Sequence, residues 1–63
     1  MNFKRLTTRE RMLVFRTLVE TQDMDTMTIG ESKGYIAEKF SIPKSQVLEI
    51  EDEGLNKEWP PLN

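Results

Sequence analysis

The sequence predicts a small all-α domain of three helices in the helix-turn-helix arrangement, with an extended C-terminal tail. Apolar residues recur at helical spacing in three separate stretches of the 63 residues. Two of the stretches open with Thr-x-x-Glu capping boxes, at Thr7 and Thr28, which satisfy free backbone donors at a helix start. The segment Ser41-Ile42-Pro43 separates the second stretch from the third, because proline cannot continue a helix.

The first predicted helix covers residues 8–22. Its apolar face is formed by Met12, Phe15, Leu18 and Val19. Leu13 falls on the far side of this helix, beside arginines. We favour the interpretation of Leu13 as a lone exposed leucine, since such residues are common. The alternative is a small contact patch ringed by arginines.

The second predicted helix covers residues 31–40 and the third covers residues 43–53. The apolar face of the second helix consists of Ile29, Ile36, Ala37 and Phe40. Pro43 suits the first position of the third helix, where its missing N–H is not needed. The inner stripe of the third helix consists of Val47, Ile50 and Gly54. Gly54 is either a C-cap glycine or an interior residue that permits close packing.

Near the C-terminus stands Trp59-Pro60-Pro61-Leu62, which we expect to be extended because proline pushes the preceding residue out of helical geometry. We favour a core role for Trp59, since a buried tryptophan removes about 150–250 Å² from water. The alternative is that it docks in an aromatic groove of a partner. The predicted core consists of Phe15, Leu18, Val19, Ile36, Ala37, Phe40, Val47, Ile50 and Trp59.

Composition argues against several functions. The chain has no Cys and no His, so it lacks the usual zinc ligands and we expect no cofactor. It offers no phosphate-binding glycine loop and no pair of nucleophile and base, so we expect no enzymatic activity. No apolar run approaches the ~20 residues of a membrane span, and the start lacks a signal-peptide pattern. We therefore expect a cytoplasmic protein of one domain, residues 1–63.

The net charge of −2 is distributed unevenly along the chain. Residues 1–20 contain five basic and two acidic side chains, which gives +3. Residues 21–63 contain four basic and nine acidic side chains, which gives −5. Such asymmetry indicates either an electrostatic binding site at one end or head-to-tail self-association, so a homodimer is compatible with the sequence.

Residues 28–57 carry a recurrent helix-turn-helix pattern. Its positions are occupied here by Thr28, Ile36-Ala37, Phe40, Val47, Ile50-Glu51 and Gly54-Leu55-Asn56-Lys57. This pattern resembles region four of bacterial sigma factors, a DNA-binding helix-turn-helix. The chain departs from that family in its third helix, where only Lys44 is basic at positions that carry arginines, and in the turn, where Ser41 replaces the usual glycine.

The resemblance implies double-stranded DNA as the partner and a function linked to transcription. Contacts would come from the outward start of the third helix, through Lys44, Ser45 and Gln46, and Gln46 could pair with adenine. The basic N-terminal residues Lys4, Arg5 and Arg9 would serve as a phosphate-binding arm.

A protein partner is the competing hypothesis, because helix-turn-helix folds are reused as interaction modules. The third helix carries an acidic ridge, formed by Glu49, Asp52 and Glu53, that could meet a basic surface. The tail residue Trp59 would provide an apolar anchor for such a partner.

Overall fold

The computed structural model describes residues 3–24 and 27–62, so positions 1, 2, 25, 26 and 63 lie outside the described ranges. Within them the chain forms three α-helices and no β-strand: α1 (Thr8–Asp23), α2 (Ile29–Phe40) and α3 (Lys44–Lys57). Each helix packs against both of the others. The predicted small all-α, three-helix domain is therefore confirmed. None of these helices is long and apolar enough to cross a membrane.

Both predicted capping boxes are present. The Thr7 hydroxyl accepts a hydrogen bond from the backbone N–H of Glu10, and the Glu10 carboxylate accepts one from the N–H of Thr7. Thr28 and Glu31 repeat this exchange at the start of α2. These backbone hydrogen bonds lower the pKa of both glutamates, because they favour the charged form.

Helix α2 begins two residues earlier than predicted, directly after the capping residue Thr28. Ile29 therefore occupies the first helical position and is 65% exposed, so its predicted place on the core face was wrong. The helix ends at Phe40 as predicted, and Ser41 follows with a left-handed backbone (φ 56°). Glycine adopts this left-handed conformation more readily than serine does.

Helix α3 differs from its prediction at both ends. Pro43 is the residue before the helix, in an extended conformation, rather than its first member. The helix continues past Glu53 as far as Lys57, and Glu58 then adopts a left-handed backbone (φ 52°). Gly54 is thus an interior residue of the helix and not its C-cap.

The core lies where the three helices meet. Its buried apolar members are Val14, Phe15, Leu18, Ile36, Ile42, Val47, Ile50 and Trp59. Partly buried residues packed against them are Leu6, Met12, Val19, Ala37 and Phe40. Most of the predicted core is confirmed, although Val19, Ala37 and Phe40 are only half-buried. Val14 of α1 and Ile42 of the turn are buried core residues that were not predicted.

The tail folds back onto the domain instead of extending. The N–H of Trp59 donates to the carbonyl of Gly54 at 3.0 Å, and the indole packs edge-on against Phe15 with ring centroids 6.1 Å apart. The chain then turns through Pro60 and Pro61, joined by a cis peptide bond, and the N–H of Leu62 donates to the Trp59 carbonyl at 2.9 Å. The predicted core role of Trp59 is confirmed, and the predicted extended tail was wrong.

Candidate nucleic-acid interface

Gln46 joins the N-terminal segment to the start of α3. Its side-chain amide donates to the backbone carbonyl of Lys4 at 2.7 Å and accepts from the Lys4 N–H at 2.9 Å. The side chain is buried, and a buried amide must be hydrogen-bonded to avoid a large desolvation penalty. Gln46 was predicted to face outward and read a base. That expectation was wrong, because both ends of its amide are occupied inside the protein.

The two hydrogen bonds bring basic residues to the turn between α2 and α3. Lys4, Arg5 and Lys39 line one shallow groove there, together with Ser41. The Lys4 ammonium lies 3.5 Å from the carbonyl oxygen of Phe40, the last residue of α2, where the helix dipole favours a positive charge. The remaining lining residues are Leu6, Glu10, Leu13, Val14 and Phe40.

The first turn of α3 is open to solvent beside this groove. Lys44 and Ser45 are exposed, as predicted, and neither forms a side-chain hydrogen bond or ion pair within residues 3–24 and 27–62. Pro43 provides no side-chain cap for the helix. The first backbone N–H groups of α3 therefore have no capping side chain, and such groups favour an anion.

Arg9 does not join the groove. It lines a separate hollow on the outside of α1, with Met12, Leu13, Arg16 and Pro60. Arg5 and Arg9 thus line two different hollows, and their joint action as a phosphate-binding arm stays a prediction.

Lys39 is a candidate contact that sequence reasoning missed. It lies in the last turn of α2, and its ammonium lies 5.8 Å from the centre of the Tyr35 ring. The sequence feature that could have indicated Lys39 is its position directly before the turn. Lys39 becomes part of the basic surface only because the N-terminal segment docks beside it, and local sequence patterns do not predict that docking.

The acidic ridge is only partly available. Glu53 accepts two hydrogen bonds from the Arg11 guanidinium, at 2.9 and 3.3 Å, and pairs with Lys57 at 2.9 Å. These hydrogen bonds, that of Arg11 above all, lower the pKa of the Glu53 carboxyl. Glu53 was predicted as a partner-binding residue, but it joins α1 to α3. Glu49 and Asp52 remain exposed.

Trp59 is also unavailable to a partner. Only 7% of its surface is exposed, because the ring packs into the core between α1 and the end of α3. The alternative prediction, that Trp59 anchors another protein, was therefore wrong.

Among the described residues, no three acidic side chains converge on one point as a metal site requires. Comparison of the chain with protein-family models, with curated proteins and with solved structures finds no match.

Proposed function

We propose that this protein binds double-stranded DNA, through the first turn of α3 and the basic segment held beside it. The observation that carries the proposal is the pair of hydrogen bonds between Gln46 and Lys4. They hold the Lys4 backbone beside a helix start that exposes Lys44, and so keep the side chains of Lys4 and Arg5 near it. A helix-turn-helix contacts base edges mainly with the N-terminal residues of its second helix.

The positive groups of this surface suit the phosphates of one DNA strand. Lys4, Arg5, Lys39 and Lys44 provide up to four contacts, and the uncapped amides of α3 add hydrogen-bond donors. With four neutralised phosphates, the logarithm of the affinity falls with a slope of roughly −3 to −4 against the logarithm of salt concentration. Binding by a single copy is therefore weak at physiological salt.

The acidic side chains of α3 limit the orientations in which this helix can enter the major groove of DNA. Glu49 and Asp52 are exposed along the helix after its first turn, and phosphates would repel them. If the N-terminal end of α3 points into the major groove of the DNA, both carboxylates stay away from the DNA phosphates. In this orientation Ser45 reaches the base edges, and Gln46 acts only by positioning the N-terminal segment.

The test is a titration of the ¹⁵N-labelled protein with a short DNA duplex at ~50 mM salt, where phosphate contacts are strongest. Amide signals of residues 4–6, 39 and 44–46 are expected to shift, and those on the outside of α1 are expected to stay. Added salt is expected to reverse the shifts.

A matched pair of variants separates a specific surface from general electrostatics. Lys44→Gln and Arg16→Gln each remove one positive charge, but Arg16 lies on the outside of α1. Lys44→Gln is expected to weaken binding severalfold and to reduce the salt slope by about one. Equal losses in the two variants, or no shifts at ~50 mM salt, would contradict the proposed interface.

A further inference from the structure

Two exposed helix faces include none of the proposed DNA contacts, although Leu13 also borders the groove that Lys4 and Arg5 line. The first, which we name the α1 stripe, consists of Arg9, Leu13 and Arg16. The second, which we name the α3 stripe, consists of Leu48, Asp52 and Leu55. In each stripe the residues follow one another at intervals of four and three, so they form one line on the helix surface. The three leucines are 54%, 45% and 55% exposed, in chain order.

The two stripes have opposite patterns. The α1 stripe places an apolar side chain between two positive charges, and the α3 stripe places a negative charge between two apolar side chains. Each runs over seven residue steps, or about 10 Å at 1.5 Å per residue. When the helices lie side by side with a shift of about one turn, Leu13 can pack against Leu48 while Arg16 lies opposite Asp52, so that apolar groups and opposite charges meet.

The surroundings of the stripes reinforce this complementarity. Met12 and Pro60 widen the apolar floor beside Leu13 in the hollow on α1. Exposed Glu49 adds a second carboxylate next to the α3 stripe, whereas Glu51 is paired with Lys33 at 3.1 Å. Arg16 forms an exposed ion pair with Glu20 at 3.3 Å, and such pairs contribute little, so its guanidinium can exchange partners.

We propose that the α1 stripe of one copy of this chain docks on the α3 stripe of a second copy. Both stripes lie on the outward sides of helices whose inner sides pack against each other, so one copy cannot satisfy both within itself. The contact uses two different surfaces, and it is therefore head-to-tail and can extend from copy to copy.

This association is weak and sensitive to salt. Three leucines and a few charges make a small interface, below the size of stable complexes, so the dissociation constant is on the order of 0.1–1 mM. Attraction between exposed arginines and carboxylates is screened beyond about 8 Å at physiological salt. The contact does not require DNA, so the two proposals can fail independently.

The test is analytical ultracentrifugation of the free protein from ~20 μM to ~1 mM. The average mass of the wild-type protein is expected to rise with concentration and to fall again in ~0.5 M salt. Leu13→Asn removes the apolar centre of the α1 stripe, and Asp52→Lys reverses the charge of the α3 stripe. Each variant alone is expected to stay monomeric over this range. Glu38→Lys, an equal charge change at an exposed position of α2, is expected to behave as wild type.

Mixing Leu13→Asn with Asp52→Lys distinguishes head-to-tail contact from every symmetric dimer. The first variant keeps an intact α3 stripe and the second keeps an intact α1 stripe, so the mixture restores one native contact. The expected product is a one-to-one dimer that does not grow further. A wild-type protein that stays monomeric at ~1 mM, an Asp52→Lys variant that associates normally, or a mixture that stays monomeric would overturn the proposal.

Discussion

Gly54 lies directly against the ring of Phe15, so that a Cβ atom at position 54 would overlap with the ring atoms Cγ, Cδ1 and Cε1. This contact sets how closely α1 and α3 approach. On the other side, the Phe15 ring packs edge-on against Trp59. Because both helices and the tail converge on Phe15, the ring has little freedom to move away from an added methyl group.

Gly54→Ala is expected to destabilise the protein by about 1–3 kcal/mol, the usual penalty for overpacking a core. This direction is opposite to helix propensity, which favours alanine over glycine by about 1 kcal/mol. Urea denaturation followed by circular dichroism measures the change.

Gly34→Ala is the matched control, because a Cβ atom at this position of α2 meets nothing within 4 Å. It is expected to stabilise the protein by about 0.5–1 kcal/mol. If both substitutions stabilise the protein, the close packing of Gly54 against Phe15 is incorrect.

Gln46→Ala is expected to release the N-terminal segment. Two hydrogen bonds to the Lys4 backbone are lost, which destabilises the protein by roughly 1–3 kcal/mol. Hydrogen exchange of the Lys4 amide is expected to become fast. Amides in the middle of α1 are expected to lose only the protection that corresponds to the lower global free energy of unfolding.

Gln22→Ala provides the comparison for this loss of an amide side chain. Gln22 donates a single long hydrogen bond, of 3.4 Å, to Ser32 between α1 and α2. Its removal is expected to have a smaller effect on stability and none on the Lys4 amide. Unchanged protection of Lys4 in Gln46→Ala would mean that the segment is held by other contacts.

Local signals in the sequence were sufficient for most of the fold. The Thr7 and Thr28 capping boxes determine two helix starts through backbone hydrogen bonds that span only three residues. The helical spacing of apolar residues then gives the inner faces, and Pro43 separates α2 from α3. Each of these features depends on nearby residues, so the pattern and the structure agree.

The candidate site could not be predicted in the same way. Gln46 is a good base-reading residue by type, but its partner Lys4 is 42 positions away along the chain. The Arg11–Glu53 pair spans the same separation, and it converts a residue of the acidic ridge into a link between helices. Both outcomes depend on how the elements pack, which periodicity does not determine.

Ser41→Gly is expected to stabilise the protein by about 0.5–1 kcal/mol. The residue after α2 has a φ of 56°, which is unfavourable for serine and is freely available to glycine. Part of the gain is offset because glycine also increases the entropy of the unfolded chain. Thermal denaturation measures the difference.

Ser45→Gly is the matched substitution in the first turn of α3, where the backbone is helical. Glycine lowers helix stability there, so a loss of about 0.5 kcal/mol is expected. The two serine substitutions should therefore shift the melting temperature in opposite directions. A loss of stability in Ser41→Gly would mean that Ser41 does not have the left-handed backbone.

The Arg11–Glu53 pair makes stability depend on pH. Hydrogen bonds from Arg11, and then from Lys57, lower the pKa of Glu53 in the folded protein. The folded state therefore holds this proton less tightly than the unfolded state does. The resulting stabilisation is complete above the ordinary glutamate pKa of about 4.3, and it is lost as the pH falls through the lower folded value.

Glu53→Gln is expected to be less stable than wild type by about 1 kcal/mol at pH 7, and this difference is expected to disappear in acid. The capping glutamates Glu10 and Glu31 titrate in both proteins, so their contribution cancels in the comparison. Repeating the substitution in an Arg11→Gln background isolates the pair, because the pH-dependent difference should then shrink to the contribution of Lys57. Urea denaturation between about pH 3 and pH 7 measures all four proteins. A difference that stays constant across this range would show that Glu53 stabilises the fold through packing rather than through its charge.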